Sequence, residues 1–257
     1  MKIQNKWRAN VLFGLAIVSC FLTGCHPAYE GQLCPSYVVC YNHLEEIQVS
    51  VAPKDSRCIL ITPHDVLPIQ LYHKNSRGKD YEEYERLCRK HNDLSFNRYR
   101  VIGKNLEMDS INYNDCDFTR LQIVSDKDFD GTHPAGESLN DIVRFMSWSP
   151  IKYIESGYSV YSQYNPQKQS ASFNTMMPVY FDKQMFQEEN KATCYPIDKM
   201  VADLQAEDMV LLGKDASGLI ALLYFEKLPE EQGEYNVSVT MTTDSGKEMK
   251  SSVQMHF

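Results

Sequence analysis

The chain has 257 residues, with 26 Lys+Arg against 34 Asp+Glu, a net charge of −8, and 43% hydrophobic and 11% aromatic residues. That apolar and aromatic content excludes a disordered chain and supports a sizeable core in one or two domains. The acidic balance excludes a nucleic-acid partner, whose phosphates demand a basic footprint, and disfavours anionic lipid surfaces for the same reason.

At the N-terminus, Lys2, Lys6 and Arg8 precede an apolar run from Val11 to Leu22, followed by Thr23, Gly24 and Cys25. Basic, apolar and small-residue regions in that order predict a secretory signal peptide over residues 1–24. A helix of the run's length spans about 18 Å, short of a hydrocarbon core of about 30 Å, so it does not read as a permanent membrane span. The tetrad Leu22-Thr23-Gly24-Cys25 resembles the lipobox of bacterial lipoproteins. That resemblance implies cleavage before Cys25 and acylation of its thiol, and usually of the new amino group, with fatty acids such as palmitate. Each buried methylene contributes about 0.8 kcal/mol, so two or three acyl chains hold a protein to a membrane durably. The alternative is an ordinary cleavage site that happens to precede a cysteine. Residues 1–24 carry three basic residues and no acid, so the mature chain has 23 Lys+Arg against 34 Asp+Glu, a net charge of −11.

Residues 25–35 read as a tether. From 36 to 195 the body is predicted to be mostly β. Alternating and β-branched segments mark strands at Ile47–Val51, Ile59–Thr62, Ile69–His73, Tyr99–Ile102, Phe118–Val124 and Tyr158–Tyr164. Two segments read as short helices instead. Asp80–His91 has Tyr81, Tyr84, Leu87 and Cys88 at helical spacing, acids in its first turn and basic residues in its last, which complements the helix dipole. Ser138–Met146 places Leu139, Ile142, Val143 and Met146 on one face, with Ser138 as a candidate N-cap.

Residues 196–257 read as sandwich-like strands, within the same domain or as a small second one. Strands are predicted at Met209–Leu212, Leu219–Glu226, Tyr235–Thr242 and Ser251–Phe257, the last two joined by the turn Thr243-Asp244-Ser245-Gly246. Gly233-Glu234-Tyr235 ahead of Val237 and Val239 resembles the tyrosine corner of immunoglobulin-like sandwiches. The expected fold class is therefore mainly β (α+β): a β-sandwich with an immunoglobulin-like C-terminal part and two short helices.

Once Cys20 leaves with the signal peptide and Cys25 is lipidated, Cys34, Cys40, Cys58, Cys88, Cys116 and Cys194 remain. An even number in an exported chain suggests disulfide bonds, with fifteen possible pairings; buried free thiols are the alternative. Cys34 and Cys40 are close enough in sequence to close a small loop. No C-x-x-C or zinc spacing occurs.

One stretch has the spacing of a calcium loop. With Asp126 at position one, Asp128 is at three, Asp130 at five, Gly131 at six and Glu137 at twelve. Such spacing converges alternate oxygens on an ion, Gly permits the sharp turn, and the last Glu binds through both oxygens. The candidate metal set is Asp126, Asp128, Asp130, Glu137 and the carbonyl of Thr132, with calcium as the one candidate cofactor. A strand ahead of the loop, Phe129 at four, His133 at eight and Pro134 at nine depart from the hand-type pattern, and a solvated acidic turn is the plainer reading.

Catalytic motifs such as G-x-S-x-G, H-E-x-x-H and a phosphate-binding Gly loop do not occur. Trp148 with Tyr158, Tyr161 and Tyr164 is a candidate aromatic platform for a glycan or protein ligand, against the alternative that these rings fill a core. The segment Asp126–Ser156, above all His133 to Asp141, together with the lipobox and the Tyr-rich β body, resembles a group of Bacteroidetes lipoproteins to which no activity is assigned. The resemblance implies location in the bacterial cell envelope, anchored to the outer membrane on its periplasmic face or at the cell surface. The expected function is a non-catalytic module that binds a ligand or partner. The alternative is an envelope glycan hydrolase with a carboxylate pair that sequence does not select.

Overall fold

The structure, a computed structural model, describes residues 31–64, 70–96, 98–101, 112–159, 166–180, 194–214 and 218–257. The signal peptide and Cys25 lie outside the described residues, as do Tyr161 and Tyr164. The chain is mainly β with short helices, an α+β fold. In chain order the strands begin with β1 (Gly31–Cys34), β2 (Cys40–Asn42), β3 (Ile47–Val51), β4 (Cys58–Pro63) and β5 (Leu71–His73), followed by helix α1 (Lys79–Lys90). Then come β6 (Arg98–Val101), β7 (Asn112–Asn114), β8 (Phe118–Ser125), β9 (Val143–Ser149), α2 (Ile151–Glu155) and α3 (Ala171–Tyr180). The chain ends with β10 (Tyr195–Met200), β11 (Gly213–Lys214), β12 (Ala221–Phe225), β13 (Glu234–Thr243) and β14 (Glu248–His256).

β1, within the segment read as tether, pairs antiparallel with β6. The larger unit comprises Pro35–Phe96 and Leu106–Phe257. It contains a five-stranded sheet in the order β10-β9-β12-β4-β3, a four-stranded sheet β11-β7-β2-β5 and a three-stranded sheet β14-β13-β8. The strands after residue 196 form no sheet of their own. β12 lies between β9 and β4, and β13 lies between β14 and β8.

The sandwich forms because period-two segments must cover one face. In β3, Ile47 and Val49 point inward while Gln48 and Ser50 point out. In β13, Tyr235, Val237, Val239 and Met241 are buried in alternation. These side chains meet Ile59, Ile61, Phe145, Leu223 and Phe225 of the five-stranded sheet in one core. Each fully buried Leu, Ile or Phe contributes about 1.5–3 kcal/mol relative to exposure. The opposite face of that sheet is covered by α3, whose Phe173 and Met177 pack with Trp148, Leu222 and Tyr224. β12 is therefore buried at every position, as expected of a central strand with both faces covered. A third cluster joins Tyr84, Leu87 and Cys88 of α1 to Tyr41, Tyr113 and Tyr153. The Tyr235 hydroxyl donates to the Glu231 carbonyl at 2.6 Å, the bond its sequence context predicts.

Two predicted elements differ. Ser138–Met146 is not a helix: Ser138 bridges to Val124, and the chain enters β9 at Val143. β9 is central, so Val143, Phe145, Met146, Ser147, Trp148 and Ser149 are all buried. A strand covered on both faces loses the alternation that identifies strands, and its apolar positions then match helical spacing by coincidence. Met209–Leu212 is no strand either. A 3-10 turn ends at Met209, and Leu211 adopts a left-handed φ of 51° with its N–H donated to Asp117 Oδ1 at 3.0 Å. Tyr158 has φ 62° in a turn, and the rest of the segment to Tyr164 lies mostly outside the described residues.

Candidate functional site

The acidic loop after β8 does not gather its side chains. Asp126 Oδ1 accepts the Asn236 N–H at 2.8 Å, and Asp128 Oδ1 accepts the Ala135 N–H at 2.8 Å. Asp130 Oδ1 accepts the amide and hydroxyl of Thr132, both at 2.7 Å, and the His133 ring at 2.7 Å. Glu137 is exposed. The candidate calcium set is thus directed to separate partners, and among the described residues no three His, Cys, Asp or Glu side chains are placed to hold a metal. The loop's buried cation is His133, 6% exposed. Its Nδ1 faces Asp130 Oδ1, and its Nε2 faces Asp141 Oδ1 at 2.9 Å. Carboxylates only accept, so both ring nitrogens donate and the ring is an imidazolium. Burial works to lower its pKa, but the bonds to Asp130 and Asp141 outweigh that and raise it. The Thr132 hydroxyl and amide, then His133, hold Asp130 well below the usual carboxylate range. Phe129, at position four, explains why the loop departs from the hand-type pattern. Its ring plugs one end of the sandwich, 5.6 Å from Phe225, 5.8 Å from Tyr235 and 5.6 Å from Phe257, centroid to centroid.

Of the candidate aromatic platform, Trp148 and Tyr158 are described, and both are buried. Trp148 is 3% exposed and packs edge-on against Phe173. Tyr158 is 7% exposed, with its hydroxyl donating to the buried Asp93 at 2.7 Å. Asp93 also accepts the N–H groups of Tyr37 and Val38. Neither ring offers a face to a ligand. The five described cysteines Cys40, Cys58, Cys88, Cys116 and Cys194 are free thiols, and all but Cys116 are buried. Burial pushes the Cys40 thiol up to about 11 and that of Cys58 up to about 12.

A groove with mixed chemistry lies where four segments meet: residues 43–44, the last turn of α1, residues 115–116 and the β13–β14 turn. Its volume is about 270 Å³. Leu44 and Met249 give it an apolar floor, Thr243 and Ser245 add hydroxyls, and Arg86, Lys90 and Lys247 face Asp115 and Asp244. The walls are fixed by charge-assisted bonds. Lys90 Nζ lies 2.7 Å from Asp117 Oδ2 and 2.7 Å from Asp244 Oδ2, tying α1 to the hairpin turn. Burial opposes the Lys90 charge, but bonds to Asp117 and Asp244 outweigh it and raise its pKa.

Asp117 also accepts His91 Nε2 at 2.9 Å, while His91 Nδ1, buried, has no hydrogen-bond partner. Burial works to raise the Asp117 pKa; His91 first, then Lys90 and the Leu211 N–H, reverse this and hold it at about 2. Asp115 is held on both oxygens, by His43 Nδ1 at 2.6 Å and the Leu44 N–H at 3.1 Å. Arg86 forms a two-pronged pair with Glu83, at 2.8 and 2.6 Å. The Lys247 ammonium has no partner among the described residues. Cys116 lines the groove, but burial, and then Asp115 and Asp117, push its thiol up to about 12, so it is no nucleophile near neutral pH.

Sequence reasoning did not reach this groove. Lys90 reads in sequence as a complement to the helix dipole, and only the fold turns it toward Asp117 and Asp244. A smaller depression beside β10 is lined by Lys152, Asp198, Lys199 and Asp208. There Lys199 pairs with Asp208, and Asp198 with Arg144 outside the depression.

Comparison of the chain with protein-family models, with curated proteins and with solved structures yields no match.

Proposed function

We propose that this is a lipid-anchored protein of the bacterial cell envelope, held to the outer membrane through Cys25, whose folded body binds a ligand without transforming it. The location rests on the signal peptide and lipobox. Among the described residues no helix is long and apolar enough to cross a membrane, so a lipid at Cys25 is the attachment the reading requires.

The observation that carries the binding role is the groove at the end of α1. It combines an apolar floor with fixed charges and hydroxyls, the composition of a recognition site. Binding is preferred to glycan hydrolysis because a hydrolase needs a carboxyl that stays protonated beside an ionised one. At the groove, Asp117 is held at about 2 and so stays ionised. Asp93, whose pKa burial raises against the pull of the Tyr37 and Val38 amides, is 0% exposed and out of reach of a glycan.

The test is membrane fractionation of Cys25→Ser in the native cell, with intact mass of the wild-type protein. Release from the membrane or failure of processing, and an acyl mass on the wild type, are the expected outcomes. A Cys25→Ser protein that fractionates like the wild type, or a wild-type mass without lipid, would remove the anchor.

A further inference from the structure

We infer that the groove at the end of α1 is a binding site for a small carboxylate of about monosaccharide size, such as a sugar acid. This deepens the binding role proposed above and rests on it, though not on the anchor.

The inference follows from which groups facing the groove are already engaged. Asp115 has a donor on each oxygen, His43 and the Leu44 amide, and keeps only 12% of its side chain exposed. Asp117, just behind the wall, accepts from His91, Lys90 and the Leu211 amide. Asp244 shares Lys90. The donors are engaged less fully. Lys247 has three N–H groups and no partner among the described residues. Glu83 engages Arg86 only through Nε and Nη2, so Nη1 keeps both its protons. Lys90 has a third N–H beyond the two directed at Asp117 and Asp244. Unengaged hydrogen bonding at the groove is therefore mostly donor, and a ligand that satisfies it is an acceptor.

Lys247 is the groove cation that brings no counter-ion of its own among the described residues, whereas Lys90 is paired with Asp117 and Asp244, and Arg86 with Glu83. An unpaired ammonium at a concave surface draws an anion to that point. On the end away from Glu83, Arg86 keeps one Nη1 N–H and the second Nη2 N–H as parallel donors, a geometry that fits a planar carboxylate. The apolar floor of Leu44 and Met249 and the hydroxyl of the exposed Ser245 suit a body with both C–H and O–H surface. The 270 Å³ volume accommodates one sugar-sized unit and not an extended chain.

The test is isothermal titration calorimetry at low salt of the protein purified from its native cell, whether or not it carries lipid, with glucuronic acid, glucose and inorganic phosphate as probes. Saturable binding of glucuronic acid, none of glucose, and weaker binding of phosphate are expected. Lys247→Gln and Arg86→Gln are both at exposed positions, and each should weaken glucuronic acid binding by about tenfold. Their melting temperatures should match the wild type, which separates a lost contact from a lost fold. No saturable glucuronic acid response, an equal response to glucose or phosphate, or unchanged affinity in both variants would overturn the inference. Because the binding measurement does not require acylation, failure here leaves the anchor standing, and failure of the Cys25→Ser test leaves the groove standing.

Discussion

The side-chain amide of Asn140 takes the place of a neighbouring strand for Ile123, its Oδ1 accepting the Ile123 N–H at 3.0 Å. The same amide donates through Nδ2 to the Leu121 carbonyl at 2.9 Å. Leu139 N–H adds a bond to the Ile123 carbonyl at 2.9 Å, and Gly136 N–H one to the Ser125 carbonyl at 2.8 Å. β8 is the outer strand of its sheet, and an open edge is a template for pairing with another chain. The acidic loop therefore works as an edge cover, and its aspartates fold the loop itself. Asn140→Ala leaves one donor and one acceptor of β8 without these partners. It should lower stability by about 1–3 kcal/mol, read as a shift in the urea midpoint at unchanged slope.

His133 makes the edge cover pH-sensitive. Its pKa is raised above 6.5 in the fold by Asp130 and Asp141, against burial. A raised base contributes stability that is fully present below the unfolded value and disappears as pH climbs through the folded one. The melting temperature should fall between neutral and mildly alkaline pH, and His133→Asn should flatten that fall. With the loop aspartates engaged by backbone amides, Thr132 and His133, millimolar calcium at neutral pH should leave the melting temperature unchanged.

Asp117 sets a second window at the acid end. It is depressed from 3.8 to about 2 by His91, Lys90 and the Leu211 amide acting against burial. Its contribution, about 2 kcal/mol, is complete above the unfolded value and is lost as pH drops toward 2. Lys90→Met leaves Asp117 and Asp244 without their shared cation and should cost about 1–3 kcal/mol near neutral pH. Circular dichroism from pH 5 to pH 1.5 should show a shallower acid transition in Asp117→Asn than in the wild type.

The thiols give a chemical test of packing. Cys58 is 0% exposed, Cys88 2%, and Cys40 and Cys194 4% each, and burial raises each of the pKa values of Cys40, Cys58 and Cys88. In the folded protein, iodoacetamide should leave these four intact. In urea without reductant they should react together with Cys34 and Cys116, counted by intact mass. Resistance in urea would mean disulfide bonds in the native cell.

Much of the fold was legible because its signals are local. Inward and outward alternation in β3, β8, β13 and β14 is written residue by residue, and α1 shows its apolar stripe and complementary end charges within twelve residues. The closing hairpin turn and the Tyr235 corner are similarly short-range. β9 was illegible for a physical reason: coverage on both faces erases alternation. Trp148 was illegible in the same way, since a ring's residue type is the same whether it packs against Phe173, as here, or faces water.

The sequence by itself determined the acidic balance, the mainly β class and the positions of most strands. Each depends on composition or on neighbours along the chain. Only the tertiary structure decided where the charges point. Asp126, Asp128 and Asp130 keep calcium-loop spacing, yet the backbone path turns each to a different partner. The groove depends on contacts such as Lys90 to Asp244, more than 150 residues apart in sequence, and spacing along a chain carries no information about such pairs until packing brings them together.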